Sequence, residues 1–290
     1  MPQLQAASGS VRARTSGKIF IASPEKREGA GSGVNRTARI AVCGTPRRIA
    51  RPRCSGSRTR AAAHSSTRRA EGDGVTAARA LKQAFDLNAG AHGDSARVRI
   101  HRAISWFARA EAVDDDLDAR FLFLWIAFNA AYAREFGDEA STREQFDAFF
   151  GRLLELDAER RIAALLFERY PGPIRVLMEN RFVFHPFWRA VRDHDGSERW
   201  HEAFVKSRKA ALHALIKGDT GVVLSIVFDR LYVLRNQLVH GGATWNSGIN
   251  RAQVRDGSHI LMDVVPVLLA LMIANPQADF GEIVYPVIPG

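Results

Sequence analysis

From about residue 75 onward, apolar residues recur three and four positions apart, the spacing of helices with one buried face. A short helix is predicted over Thr76–Leu87. A second opens at an Asp94/Ser95 cap and places Val98, Ile104, Phe107 and Ala108 on one side. Asp118 then begins a run, Phe121-Leu122-Phe123-Leu124-Trp125-Ile126-Ala127-Phe128, that is apolar almost all round and marks a central buried helix. Asn129 beside it is read as a packed polar residue rather than a helper at a site. Thr142 and Gln145 have the spacing of a capping box ahead of Phe146, Phe149 and Leu153.

Further on, Glu159–Arg169 reads as a short helix stopped by Pro171-Gly172-Pro173, and Ile174–Phe184 as a helix broken before Pro186. A long segment from Ser197 carries Trp200, Phe204, Ala211 and Leu215 near one face and ends at Gly218. Thr220–His240 follows, then a polar loop over Gly241–Asn250 and a last helix from about Gln253 to Ala274. Only Ile283-Val284-Tyr285-Pro286-Val287 suggests an extended edge segment. With helix after helix and no internal repeat, the predicted class is all-α.

Charge divides the chain in a way hydropathy alone does not. The 290 residues carry a net +10, but residues 1–70 hold 15 of the 41 Lys and Arg and only Glu25 and Glu28 among the 31 acids, a net of +13. The remainder has 26 basic and 29 acidic residues, a net of −3, so a nucleic-acid-binding reading cannot rest on overall charge. Residues 1–74 form a basic leader, rich in Arg, Ser, Gly and Ala and without apolar periodicity, that is expected to be disordered. It fits a targeting peptide, a basic arm for nucleic acid, or text upstream of a natural start near Val75 or Leu81. Residues 75–290 are the expected folded domain.

Both cysteines, Cys43 and Cys54, lie in the leader, so the domain has neither a disulfide nor a thiolate metal site to lean on. The longest apolar runs, Phe121–Ala133 and Val264–Ala274, fall short of the ~18 residues a spanning segment needs. No membrane partner and a cytoplasmic location are expected. No cofactor or metal is expected either: His185, His194 and His201 lack a ligand spacing, His185-Pro186 reads as a helix entry, and His194-Asp195 alone does not make a phosphohydrolase site.

Three Arg/His pairs are five residues apart: Arg189/His194, Arg208/His213 and Arg235/His240. Chance predicts about one in a chain of this composition, so spacing alone selects nothing. Only Arg235-Asn236-Gln237-Leu238-Val239-His240-Gly241 adds Asn after the Arg and Gly after the His. Arg208/His213, with Lys206 and Lys209, reads as a solvated helix face. At 100° per residue, Val223, Ile226, Val227, Leu231, Leu234 and Leu238 form one stripe, while Tyr232, Asn236 and His240 follow one another on the opposite side. Asp229 falls beside them, Arg235 on the shoulder, and Phe228 and Val239 near this second face. A helix with two such faces is expected to be covered twice, by its own fold and by something else; a twofold contact there would bring two copies of Arg235 and His240 together. Arg230 falls on the core stripe and would need a buried carboxylate partner.

The Arg-Asn-x-x-x-His pattern at the end of a helix, followed by a loop and a closing apolar helix, resembles the HEPN superfamily (higher eukaryote and prokaryote nucleotide-binding). The apolar stretch Phe121–Asn129 is similar to the earlier helix of uncharacterised bacterial members. The resemblance spans roughly residues 92–276, but its specific content is six to eight residues. It implies a HEPN-like helical bundle that dimerises, with Arg235 and His240 of both copies lining one cleft where RNA is cut without metal. It also implies a possible place in a toxin–antitoxin pair or phage defence, with an antitoxin as a possible partner. Many relatives bind a nucleotide, RNA or protein rather than cleave. Gly242 stands where one toxin branch of the family carries a Tyr, so modification at that position does not carry over.

Read from the residues, His240 could take the proton of an attacking 2′-hydroxyl and Arg235 could hold the phosphate. Asn236 would orient His240 or a phosphate oxygen, Tyr232 and Asp229 would support the site, and Gly241 would end the helix and admit the substrate closely. The plainer reading has Arg235 and His240 serving the helix terminus itself, donating to its last carbonyls.

Overall fold

Ten α-helices follow one another among the described residues, and none of these residues forms a strand, so the chain is all-α. The structure, a computed structural model, describes residues 75–133 and 142–288; the leader and the Thr142–Gln145 capping box lie outside the described residues and side chains. Local chemistry sets most helix starts. Thr76 accepts the Arg79 amide at 3.2 Å to open α1 (Ala77–Asn88). α2 (Asp94–Glu111) begins after Gly93, with Asp94 in its first turn rather than at the cap. Asp116 caps α3 (Leu117–Tyr132) through the Ala119 amide at 2.9 Å. α4 spans Thr142–Leu156. Asp157, buried, accepts the Arg161 and Ile162 amides to start the single turn α5 (Arg161–Ala164), which continues as a π-type turn over Leu165–Arg169.

The proline cluster does not only stop a helix. Pro171 and Pro173 sit in the first turn of α6 (Pro171–Glu179), where a missing N–H costs nothing. Pro186 does the same for α7 (His185–Arg192), which opens at the His185-Pro186 entry the sequence suggests. α8 (Arg199–Lys217) ends at Gly218 with φ +68°. α9 (Thr220–Val239) opens on an Asp219 cap, and α10 (Arg251–Ala274) closes the bundle.

α3 is the hub: its side chains pack against α2, α9 and α10, and its aromatic side meets α4. Phe128 stacks on Tyr132 at 4.7 Å and lies 4.4 Å from Phe228 of α9, which in turn touches Phe150 of α4 at 4.8 Å. Trp125 lies 6.1 Å from Tyr232. Together the Phe128–Phe228 and Trp125–Tyr232 pairs show α3 and α9 running antiparallel, which carries the end of α9 toward the start of α3. α10 crosses both at Gly257, where an added Cβ would stand 2.8 Å from Leu231 Cδ2 and 3.0 Å from Phe121 Cε2. As a helix, α10 is long and apolar enough to cross a bilayer, although its uninterrupted apolar runs are short. Its most apolar stretch is 61% buried inside the protein, the position of a core helix.

Several expected faces are corrected. On α2 the buried residues are Arg99, Ile100, Ala103, Ile104, Phe107 and Ala110, while Ala108 is exposed and Val98 half-buried. Arg99 is 1% exposed and lends its guanidinium to four carbonyls: Ala131 and Ala133 at the end of α3 (2.8 and 2.6 Å), and Gly281 and Glu282 (3.0 and 3.3 Å). Arg102 holds the Tyr285 carbonyl at 2.6 Å. The tail over 283–287 is therefore irregular rather than an edge strand, with arginine side chains meeting carbonyls just before it and at Tyr285. Asn129 is exposed, not packed.

Candidate functional site

The last two turns of α9 and the loop behind them hold the motif. His240 is the C-cap, and its backbone N–H bonds the Asn236 carbonyl at 3.0 Å. Gly241 adopts φ +67°, its N–H reaching Leu238 O at 3.3 Å, and Gly242 N–H reaches Gln237 O at 2.7 Å. This pair of 5→2 and 6→1 bonds is a Schellman termination, for which Gly241 supplies the left-handed residue without a Cβ penalty. The helix end is thus satisfied by backbone groups, and neither Arg235 nor the His240 ring bonds its carbonyls. Among the described residues, the exposed His240 imidazole has no hydrogen-bond partner.

Arg235 is half-buried, and its Nη1 donates to Asn236 Oδ1 at 2.9 Å. Asn236 therefore contacts the arginine rather than His240 here, and its role toward a phosphate oxygen is a matter for substrate. Tyr232 is half-buried against Trp125, and the phenol of Tyr132 sits close enough to feel both Tyr232 and Arg235. Burial and Tyr232 push the Tyr132 hydroxyl up to about 12 against the pull of Arg235, so it stays protonated as a hydrogen-bond donor. Tyr132 was missed in the sequence because it looked like one more apolar residue of the central helix.

The second face of α9 is not free along its length, as two-sided patterning suggested. Phe228 is fully buried by the α4 aromatics, Ser225 bonds Asp147 of α4, and Val233 is 6% exposed. The protomer itself covers Val223–Phe228 of this helix on both sides, although Val222 in its first turn is exposed. Tyr232, Arg235 and Asn236 are half-buried, and only Val239 and His240 are exposed. Asp229 stays beside Tyr232, with which it lines a cleft of about 490 Å³ between α7, α8 and α9 that also takes in His185, Arg189 and Arg230. Arg230 is 3% exposed; its guanidinium lies 4.4 Å from the centre of the Phe184 ring and donates to Ser207 at 3.0 Å. Aromatic and hydroxyl groups are thus among those that receive it.

Behind the motif the loop is tied down. Asp118, 6% exposed, accepts the Asn246 amide at 2.8 Å and both Nη groups of Arg251 at 3.0 and 2.9 Å. Asp116 accepts Trp245 Nε1 at 3.0 Å; with the Ala119 amide, this bond holds the Asp116 carboxyl below the usual range. Gln237, an unassigned position of the motif, accepts from Asn250 Nδ2 at 2.8 Å and donates to the Phe182 carbonyl at 2.5 Å. The motif is thus framed by α3 on one side and by the α6–α7 connection on the other.

No three His, Cys, Asp or Glu side chains among the described residues are grouped so as to hold a metal ion. The chain matches no protein-family model, no curated protein and no solved structure.

Proposed function

We propose that the protein is a HEPN-type endoribonuclease that works as a homodimer without a metal, in the manner of a toxin or phage-defence effector. The supporting observation is a division of labour at the end of α9. Arg235 is steered by Asn236, while His240 stands clear of the helix end with its ring available. Five residues at 100° each put the two about 140° apart around the axis, so two copies related by a twofold are the simplest way to bring an Arg and a His to one phosphate.

In this reading the 2′-hydroxyl of one nucleotide attacks its own phosphate. A neutral His240 takes the hydroxyl proton as the new P–O bond forms, and an imidazolium delivers a proton to the 5′-oxygen as the old bond breaks. Arg235 holds the phosphate oxygens and the charge that grows on them; each contribution is worth about 10²- to 10³-fold. The products are a 2′,3′-cyclic phosphate and a free 5′-hydroxyl.

The test is incubation of the full chain with RNA in EDTA, beside His240→Ala and Arg235→Ala. Loss of cleavage in both supports the proposal; unchanged cleavage in either, or none by the wild type, sinks it. One observation favours a binding-only module instead: among the described residues, no third group orients the His240 ring. An inert wild type that still binds RNA or a nucleotide would support that reading.

A further inference from the structure

The aromatic and basic side chains around α7 form a surface that the reading above leaves unused. His185, Trp188, Arg189 and Arg192 follow at i, i+3, i+4 and i+7, which puts them on one side of the helix, and all four are exposed. Beside them, Phe182 is 41% and Trp188 39% exposed, two large rings on one patch. Phe187 stands between them, edge-on to Phe182 at 5.5 Å, to Trp188 at 5.2 Å and to Trp200 at 5.0 Å, and fixes their orientation. Trp188 is further pinned by its Nε1 bond to the Phe182 carbonyl at 2.7 Å.

Charge on this face is of one sign where it matters. Arg181 lies 5.0 Å from the centre of the Phe182 ring and 5.6 Å from that of Phe187. Neither Arg181 nor Arg189 has a carboxylate within 4.0 Å among the described residues, whereas Arg192 is partly answered by Asp193 at 3.4 Å. Burial and the charges of Arg189 and Arg192 hold the His185 imidazole below its ordinary range. Rigid exposed rings interleaved with arginines suit successive bases and the phosphates between them.

The surface is joined to the motif. The Phe182 carbonyl that receives Trp188 also receives Gln237, two residues beyond Arg235 and three before His240. The cleft that His185 and Arg189 enter from α7 is lined from α9 by Tyr232.

We infer that Phe182 and the outward face of α7 form a single-stranded RNA platform, with bases stacking on Phe182 and Trp188 and phosphates held by Arg181 and Arg189, that leads the strand to Arg235 and His240. The choice of RNA over DNA rests on the ribonuclease reading. The stacking and charge arguments do not.

The experiment measures binding of a labelled 12-nucleotide RNA of mixed sequence to the full chain in EDTA, at two salt concentrations, in a His240→Ala background that spares the strand. Phe182→Ala and Trp188→Ala should each weaken binding about tenfold. Arg181→Gln with Arg189→Gln, which leaves the ring cluster intact, should weaken it and flatten the salt dependence by roughly 0.7 logarithmic units per arginine. Unchanged affinity in both sets overturns the platform. So does equal affinity for duplex RNA, or binding to phosphatidylserine vesicles that these variants abolish when RNA does not bind. Strand binding through these residues without cleavage by the His240-intact chain would remove the ribonuclease proposal and keep the platform. Cleavage with an unchanged KM in the platform variants would do the reverse.

Discussion

Replacing Asp118 by alanine should loosen the loop behind His240 and destabilise the whole bundle. Three hydrogen bonds converge on this carboxylate, two from Arg251 and one from the Asn246 amide. Its side chain is 9% exposed, so removing it strands a cation and an amide in a mostly dry place. Losing one member of a buried ion pair costs about 3–5 kcal/mol. The Arg251 side chain is 27% exposed, so water can partly replace the lost carboxylate; a cost of about 2–3 kcal/mol is then expected.

For a folded region of this size, that amounts to a fall in Tm of about 5–10 °C by calorimetry on the full chain. Hydrogen exchange at the Asn246 amide should rise with it. The double variant Asp118→Ala/Arg251→Met should cost clearly less than the two single losses added together, because the stranded cation is gone. A Tm within about 2 °C of wild type for Asp118→Ala, or strict additivity in the double variant, would refute the reasoning.

Gly257→Ala should lose about 1–2 kcal/mol: the new methyl meets Leu231 Cδ2 at 2.8 Å and Phe121 Cε2 at 3.0 Å, and the gain in helix propensity offsets only part of the overpacking. Gly257→Val should lose more, and a urea midpoint above wild type for the alanine variant would contradict the close crossing. The raised hydroxyl of Tyr132 predicts an alkaline limb. An acid whose folded pKa is raised leaves stability untouched below its unfolded value near 10, then loses it as the pH climbs toward about 12, by at most about 2.7 kcal/mol. Tyr132→Phe should flatten that limb in a base titration followed by circular dichroism, leaving the part due to Tyr170, whose hydroxyl is raised the same way by burial and Asp263. An identical limb in the variant would show that Tyr132 ionises freely in the fold.

Features that depend on neighbours along the chain were legible before any coordinates. Asp219 before an apolar helix and Gly241 after His240 are capping chemistry, and both ends of α9 fall where those residues put them. The stripe Val223, Ile226, Val227, Leu231 and Leu234 is buried as its spacing requires. Periodicity failed where the same residue type serves two purposes. Pro171 and Pro173 open α6 instead of only stopping a helix, since a proline in a first turn blocks nothing. Arg99, which periodicity did not single out, is the buried collector of four carbonyls.

What the amino-acid order alone determined was the all-α class, the limits of α9 and the presence of Arg235, Asn236 and His240 at its end, because helix period and capping act over a few residues. Which face of α9 remains open was decided by α4 and α8, which arrive from distant parts of the chain and bury Phe228 and Arg230. Likewise, only the tertiary structure places Tyr132 beside Tyr232 and Arg235, and the rings of α7 beside Gln237. Those pairings depend on helix crossings, and a crossing is set by side-chain volumes on two helices at once, as at Gly257, which no reading of one helix contains.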